Sequence, residues 1–208
     1  ASLSRAAPRI HAVLANPLLW LIVLCGAIRV FWAGYIDGYL VSGDTSSYTE
    51  FSIEDGDAAL RTPVYPLLIQ LSTFLFGEGG GLSALVVVQS AMGIISAAIV
   101  YRLLVQLTSR TPVAFVGAAA FGCLPFVIAF EHSIGTEPTA ILVLLLEIDL
   151  FARFLKRPTR GRAFGLGALS LVCVMTRPAF LFLVALLALL WLVRLFVVKR
   201  ERLISAFG

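Results

Sequence analysis

The stretch that decides the fold is VYPLLIQLSTFLF, residues 64–76. The run is apolar, but its thirteen residues are fewer than the about 20 that a helix needs to cross the hydrocarbon core of a bilayer. The length therefore predicts an interfacial or re-entrant helix. If this run crossed the membrane instead, every later segment of the chain would change sides.

The rest of the chain has the composition of a membrane protein. Hydrophobic residues make up 60% of the 208 residues, charged residues 13%, and the mean hydropathy is +0.97, whereas about 25% of the residues in a soluble domain are charged. We predict membrane helices at 17–36, 83–107, 112–130, 137–155, 163–176 and 178–197. The expected fold is all-α: one integral membrane domain over 1–208, a polytopic bundle of about six transmembrane helices with an extracytoplasmic interfacial helix in the first loop, 37–82.

Short local signals support these limits. Asn16-Pro17, Thr111-Pro112 and Thr136-Glu137-Pro138 are typical of helix starts, where Asn or Thr caps the helix and Pro fits its first turn. The run Glu78-Gly79-Gly80-Gly81 is predicted to be a flexible joint before the second span. Three cysteines lie inside apolar runs and are interpreted as small buried hydrophobes rather than disulfides or metal ligands: Cys25, Cys123 and Cys173.

The basic residues predict the orientation. If 64–76 does not cross, the basic clusters all fall on one side of the membrane, and the positive-inside rule makes that side cytoplasmic. Both termini are then cytoplasmic, and the net charge of +4 reflects orientation rather than affinity for nucleic acid. These clusters are Arg5 and Arg9; Arg102 and Arg110; Arg153, Lys156, Arg157, Arg160 and Arg162; and Arg194, Lys199, Arg200 and Arg202.

The first part of the external loop, residues 37–66, contains half of the twelve carboxylates: Asp37, Asp44, Glu50, Glu54, Asp55 and Asp57. Asp44 stands in the polar stretch SGDTSSY, residues 42–48, where it can cap a helix or act as a general base, two roles that are compatible. The loop's later acids are interpreted as solvated charge.

Other polar residues fall on the same predicted side. Glu137 begins a helix, where its charge favours the helix dipole. Glu131 and His132 form a surface hydrogen-bonding pair more readily than a metal site, which would need further ligands. Arg177 and Arg61 are candidates for an anionic head group or phosphate, and the alternative for both is a salt bridge to the loop's acids.

Two acids lie in the inner half of the fourth predicted span, 137–155. Asp149 is four residues before Arg153, so the two side chains can pair along the helix. Glu147 is expected to face the bundle. A structural ion pair is favoured here over a proton relay.

Together these residues resemble GT-C-type membrane glycosyltransferases, the superfamily of protein O-mannosyltransferases, aminoarabinose transferases and mycobacterial arabinosyltransferases. The similarity covers about residues 20–195 and the N-terminal half of such enzymes. The resemblance rests on an acid in the first loop and on these motifs: RTPVYPLL at 61–68, LFG at 75–77, YRLL at 101–104, TEP at 136–138 and TRP at 176–178.

The resemblance implies an enzyme of the cell envelope in a bacterial inner membrane. Its donor would be a polyprenyl-phosphate sugar, and the acceptor a hydroxyl on the extracytoplasmic side. Asp44 and Glu137 are the implied catalytic acids. In some members the first-loop acid helps to hold a divalent cation, so the resemblance leaves a divalent cation open as a cofactor. The implied substrate-binding residues are Arg61, Tyr65, Glu131, His132 and Arg177.

The number of predicted spans departs from this family. Members usually have ten or more spans, so the chain is expected to be a fragment, to be completed by other membrane subunits, or to lack the second half. The alternative function is a non-catalytic GT-C-like scaffold subunit. A small transporter is least favoured, because mid-membrane charges are few and no inverted repeat is evident.

Overall fold

The computed structural model describes residues 16–36, 38–41, 45–51 and 62–207, and side chains up to Phe196. The predicted all-α class is confirmed: in these ranges the regular structure is helical, apart from one bridge between Leu40 and Ser133. The helices are α1 Pro17–Ala33, α2 Thr45–Thr49, α3 Val64–Thr108, α4 Thr111–Gly122, α5 Pro125–His132, α6 Glu137–Lys156, α7 Arg160–Thr176 and α8 Leu181–Phe207, with a 3-10 turn at Pro178–Phe180 before α8.

The described helices include two that are long and apolar enough to cross a membrane, Val64–Thr108 and Pro178–Phe196. Helices α4 and α5, which meet at a bend of 45°, together form a third candidate. Helix α1 is apolar but has 17 residues. With two to three such candidates among its described helices, the chain is an integral membrane protein.

Helix α3 is broken at Gly77, where the backbone adopts φ 75° and ψ 166°. The short arm, 64–76, folds back on the long arm, 78–108, and the Ser72 hydroxyl of the short arm donates to the Gly81 carbonyl of the long arm at 2.7 Å. This φ/ψ combination is accessible essentially to glycine alone. The expected flexible joint at residues 78–81 was wrong: those residues are helical, and the bend lies at Gly77.

The single helix expected over 112–130 is also divided. Helix α4 ends at Gly122 and α5 begins at Pro125. The proline clashes with a helical conformation of the preceding residue, and Leu124 accordingly has φ −65° and ψ 121°. This bend directs α5, and the polar residues at its end, away from the axis of α4.

Small residues bring α1, α3 and α4 close together. Leu21, Cys25, Ala97 and Ala118 are buried in one cluster. A Cβ at Gly122 would come within 2.6 Å of the Cys25 sulfur, so only glycine fits there without displacing a neighbour. Small side chains at such contacts let membrane helices approach. The interpretation of Cys25 as a buried hydrophobe is confirmed, and all three cysteines are free.

The two ends of α6 differ in charge. Near its last turn, Arg102 and Arg153 both bind one oxygen of Asp149, at 2.5 and 2.8 Å, which confirms the predicted Asp149–Arg153 pair. Glu147 is buried and accepts a hydrogen bond from Ser170 at 2.7 Å, so it faces the bundle as expected. The first residue of α6 is Glu137, and we call this opposite end of the bundle the Glu137 end.

Candidate active site

Two Thr-X-Pro segments meet at the Glu137 end. Arg177, directly after α7, donates from Nη2 to Glu137 Oε1 and from Nε to Thr136 Oγ1, the latter at 2.9 Å. The Arg177 and Glu137 side chains are 42% and 27% exposed, so a ligand can reach both. Two residues that the sequence predicted separately, a catalytic acid and a phosphate-binding cation, are therefore in direct contact.

The expected cap at Thr136 is absent from α6, and this prediction was wrong. The Thr136 backbone has helical angles, φ −74° and ψ −11°, instead of the extended ones of a capping residue, and its side chain makes no capping hydrogen bond. Its hydroxyl accepts from Arg177. The cap predicted at Asn16 is confirmed by a hydrogen bond of 3.0 Å from the Leu18 N–H to Asn16 Oδ1. The polar residue before α6 thus orients the arginine.

The segments that follow Asp44 and Arg61 converge on the same end. Thr62 donates from its hydroxyl to the Thr176 carbonyl at 2.8 Å, directly before Arg177 in the chain. Thr45 donates to the Ile134 carbonyl at 3.4 Å, in the loop that precedes Glu137. Asp44 and Arg61 themselves, one predicted as catalytic and the other as substrate-binding, lie outside the described residues.

A buried layer supports this end of the bundle. Gln89 is fully buried; it accepts from the Tyr65 hydroxyl at 2.8 Å and donates to the carbonyls of Glu131 and Ser133 at 2.7 and 3.0 Å. The ring of Tyr65 packs edge to face with Tyr48, centroids 5.3 Å apart. Tyr65, predicted to bind substrate, is itself fully buried. In this conformation it fixes the loop instead of facing solvent.

Arg29, like Gln89, was not predicted from the sequence to belong to this end. It lies in the apolar helix α1, and its side chain is 4% exposed. Its guanidinium binds both carboxylate oxygens of Glu131, with Nε–Oε2 2.8 Å and Nη2–Oε1 2.5 Å. Nη1 donates to the carbonyls of Cys25 and Gly122, each at 3.0 Å. A charge within an apolar span was itself the available signal, because such residues are costly unless paired.

The expected surface pair of Glu131 and His132 was wrong. Both side chains are 1% exposed. Glu131 is held by Arg29, and His132 Nδ1 lies 3.0 Å from the Ile128 carbonyl. The cause is the chain segment at Leu40, whose backbone bonds to His132 and Ile134 and covers the end of α5. Gly93 completes the packing, because a Cβ there would overlap the Glu131 carboxylate and the Arg29 guanidinium.

The described acids and histidine do not form a metal site. Within the ranges given above, no three His, Cys, Asp or Glu side chains are placed to hold one ion together. The Glu131 carboxylate is occupied by Arg29, and Glu137 by Arg177. The described residues therefore do not fit a divalent cation without further ligands.

The chemistry that remains is that of a half-exposed guanidinium beside a carboxylate. A guanidinium presents a planar set of donors that matches phosphate oxygens. A carboxylate within reach of a hydroxyl can accept its proton. The site is suited to hold a phosphate next to a hydroxyl that loses its proton.

The helices and this polar end define the class: an integral membrane protein with its candidate site at one end of the bundle. The particular family follows from comparison, because the model of the dolichyl-phosphate-mannose-protein mannosyltransferase family matches residues 60–206, about seven tenths of the chain. The chain belongs to this family, a glycosyltransferase family of the GT-C type that implies a lipid-linked sugar donor. No curated protein and no solved structure matches the chain.

The matched region includes Arg61, Glu131, His132, Glu137 and Arg177. It begins after Asp44. The resemblance to GT-C glycosyltransferases is thereby confirmed for the family, while the roles of individual residues are proposals.

Proposed function

We propose that the chain transfers a sugar from a polyprenyl-phosphate donor to an acceptor hydroxyl at the extracytoplasmic face, and that the Glu137 end is the active site. One observation carries the proposal: Arg177 contacts Glu137 and Thr136 while Thr62 is bonded to Thr176. The RTPVYP segment and the TRP segment are thus joined at a half-exposed arginine. A lipid phosphate would meet a preformed donor set there.

The proposed reaction needs a base for the acceptor hydroxyl and cations that bind the leaving phosphate. Asp44 takes the proton of the acceptor hydroxyl, whose oxygen bonds to the sugar's anomeric carbon as the bond from that carbon to the phosphate oxygen breaks. Arg177 and Arg61 stabilise the charge on the polyprenyl phosphate that leaves. Glu137 holds Arg177 in position and is the second acid at the site. No step is assigned to a metal ion.

The buried residues have a positioning role in this proposal. Glu131, anchored by Arg29, fixes the end of α5, and Gln89 ties this end to Tyr65. The His132 carbonyl accepts a hydrogen bond from the Leu40 N–H, which joins this end to the Leu40 segment. These residues place the loop from which Glu137 starts, and they replace the direct substrate contacts that the sequence suggested.

We also propose six spans: α1, the long arm of α3, the bent pair α4–α5, α6, α7 and 178–196. From Gln89, which is at the level of the site, to Thr108 the long arm has 20 residues, or about 30 Å of helix, enough for the hydrocarbon core. The short arm 64–76 is not needed for crossing and is assigned to the interface. Basic residues at the other end of the bundle support a cytoplasmic side there.

The test is sugar transfer by the purified chain in lipid, with a labelled polyprenyl-phosphate sugar. We expect Asp44→Asn and Arg177→Gln each to lower the rate about 100-fold or more, since a positioned base contributes about 10²–10⁴ and a donor that stabilises developing charge about 10²–10³. Glu50→Gln is the matched control: it removes a charge from the same loop at an exposed residue and should leave the rate unchanged. Unchanged transfer by Asp44→Asn, or no transfer by the unaltered chain, would contradict the proposal.

A further inference from the structure

A groove runs along the membrane face of the bundle, away from the Glu137 end. It has a volume of about 520 Å³ and is lined by helices α1, α3 and α6, a size within the about 300–1,000 Å³ of small-molecule sites. Its lining is apolar for most of its length and includes Leu18, Ile95, Ala98 and Leu146. Arg102 is the charged residue of the lining.

The length of the groove is close to the thickness of one membrane leaflet. Its lining on α3 extends from Ile94 to Val105, a rise of about 16 Å along a helix. Half of a hydrocarbon core is about 15 Å. An extended acyl chain of one leaflet therefore fits along the groove, with its head group near Arg102.

The charges around Arg102 favour an anion at that position. Arg102 and Arg153 share a single carboxylate, Asp149, whose side chain is 6% exposed, whereas the two arginines are 43% and 45% exposed. Lys156 lies one turn farther on and contacts Gln106 at 2.8 Å. Three cations against one acid leave a net positive charge at the mouth of the groove. An apolar helix from another protein would not match that charge.

We propose that this groove binds an anionic glycerophospholipid, with one acyl chain between α1, α3 and α6 and the phosphate beside Arg102 and Arg153. The site is distinct from the proposed donor site, because Gln89 and Arg102 are thirteen positions apart on α3, or about 20 Å. The bound lipid fills the space that separates α1 from α6. The proposal rests on the membrane location of the bundle and does not depend on the catalytic residues.

Native mass spectrometry of the purified chain, mixed with equal amounts of phosphatidylglycerol and phosphatidylcholine of identical acyl chains, tests this. We expect the unaltered chain to retain phosphatidylglycerol at least fivefold over phosphatidylcholine. Arg102→Gln should reduce that preference to below twofold, and Ala98→Phe, which fills the groove, should abolish retention of both lipids. Arg102→Lys, which keeps the charge, should keep most of the preference.

Arg110→Gln is the matched control, because Arg110 is a cation next to α3 that does not line the groove. It should retain the full preference. Equal retention of the two lipids by the unaltered chain would overturn the proposal, as would a preference that Ala98→Phe leaves intact. So would a cross-link from Ile95→Cys to a second protein chain instead of to lipid. A thermal unfolding scan of each variant distinguishes loss of the lipid from loss of the fold.

Discussion

At the scale of single residues, the Glu137 end is held by a buried ion pair between α1 and the end of α5. Arg29 and Glu131 are 102 positions apart, and each is at most 4% exposed. All three guanidinium nitrogens of Arg29 donate hydrogen bonds. A pair with this many hydrogen bonds fixes the end of α5. Its removal should first lower the stability of the fold, and lower activity only as a consequence.

Replacing only one partner of the Arg29–Glu131 pair is expected to destabilise the fold strongly. Replacing both partners should destabilise it much less. Arg29→Met alone leaves the Glu131 carboxylate buried without its cation, and we expect about 3–5 kcal/mol of destabilisation. Arg29→Met combined with Glu131→Leu removes both charges and should recover most of that loss. Unfolding of each variant in detergent, followed by helical circular dichroism, measures the difference.

Lys156→Met is the control for this comparison, because Lys156 is exposed and contacts Gln106 at the surface. Its removal should cost less than about 1 kcal/mol. A double variant no more stable than Arg29→Met would show that Arg29 acts through its backbone contacts instead of through the carboxylate.

The residues of the site could be predicted singly but not as contacts. Glu137 and Arg177 each stood out, since one begins a helix and the other is a cation among apolar residues. Their contact joins positions 40 apart, and a single sequence does not encode which distant side chains meet. His132 and Glu131 were misplaced for the same reason: their burial depends on a backbone bridge from Leu40, which has no local signal.

At the scale of helices, prolines and glycines decide where the long apolar segments bend. Pro125 separates α4 from α5, and Gly77 separates the two arms of α3. The helix starts at 17 and 137 could be predicted because Asn16-Pro17 and Glu137-Pro138 are local signals. The bend at Pro125 was missed because hydropathy is continuous across it. The break in α3 was predicted but placed at the three glycines 79–81 instead of at Gly77.

A substitution at Gly77 should show how much the bend in α3 depends on glycine. Gly77→Ala forces a side chain into φ 75° and ψ 166°, and we expect a loss of about 1–3 kcal/mol. Gly79→Ala is the control, because Gly79 is helical and a Cβ there meets nothing within 4 Å. It should be neutral or stabilising by about 0.5–1 kcal/mol. Equal stability of the two variants would mean that the arms separate without cost.

At the scale of the whole molecule, the charges divide the bundle into two ends. Glu137 and Arg177 lie at one end, while Arg102, Arg153 and Lys156 lie at the other, close to a full helix length away along α6. Under the six spans proposed above, the phosphate-binding candidates would face one side of the bilayer and the basic cluster the other. This division holds for the first loop's acids only if the short arm 64–76 does not cross the membrane. A crossing there would put those acids and the Arg177 site on different sides.

Single cysteines placed around the short arm test that arrangement. Glu50 and Glu78 are exposed residues on either side of 64–76, and Arg157 is exposed beyond α6. If the arm is interfacial, Glu50→Cys and Glu78→Cys react with a membrane-impermeant maleimide from the same side. Three spans then separate Glu78 from Arg157, so Arg157→Cys reacts from the opposite side. Cys25 and Cys173 are buried, and the unaltered chain gives the background labelling.

Labelling of Glu50→Cys and Glu78→Cys from opposite sides would show that 64–76 crosses the membrane. The Arg177 site and the first loop's acids would then lie on different sides, which excludes the proposed active site.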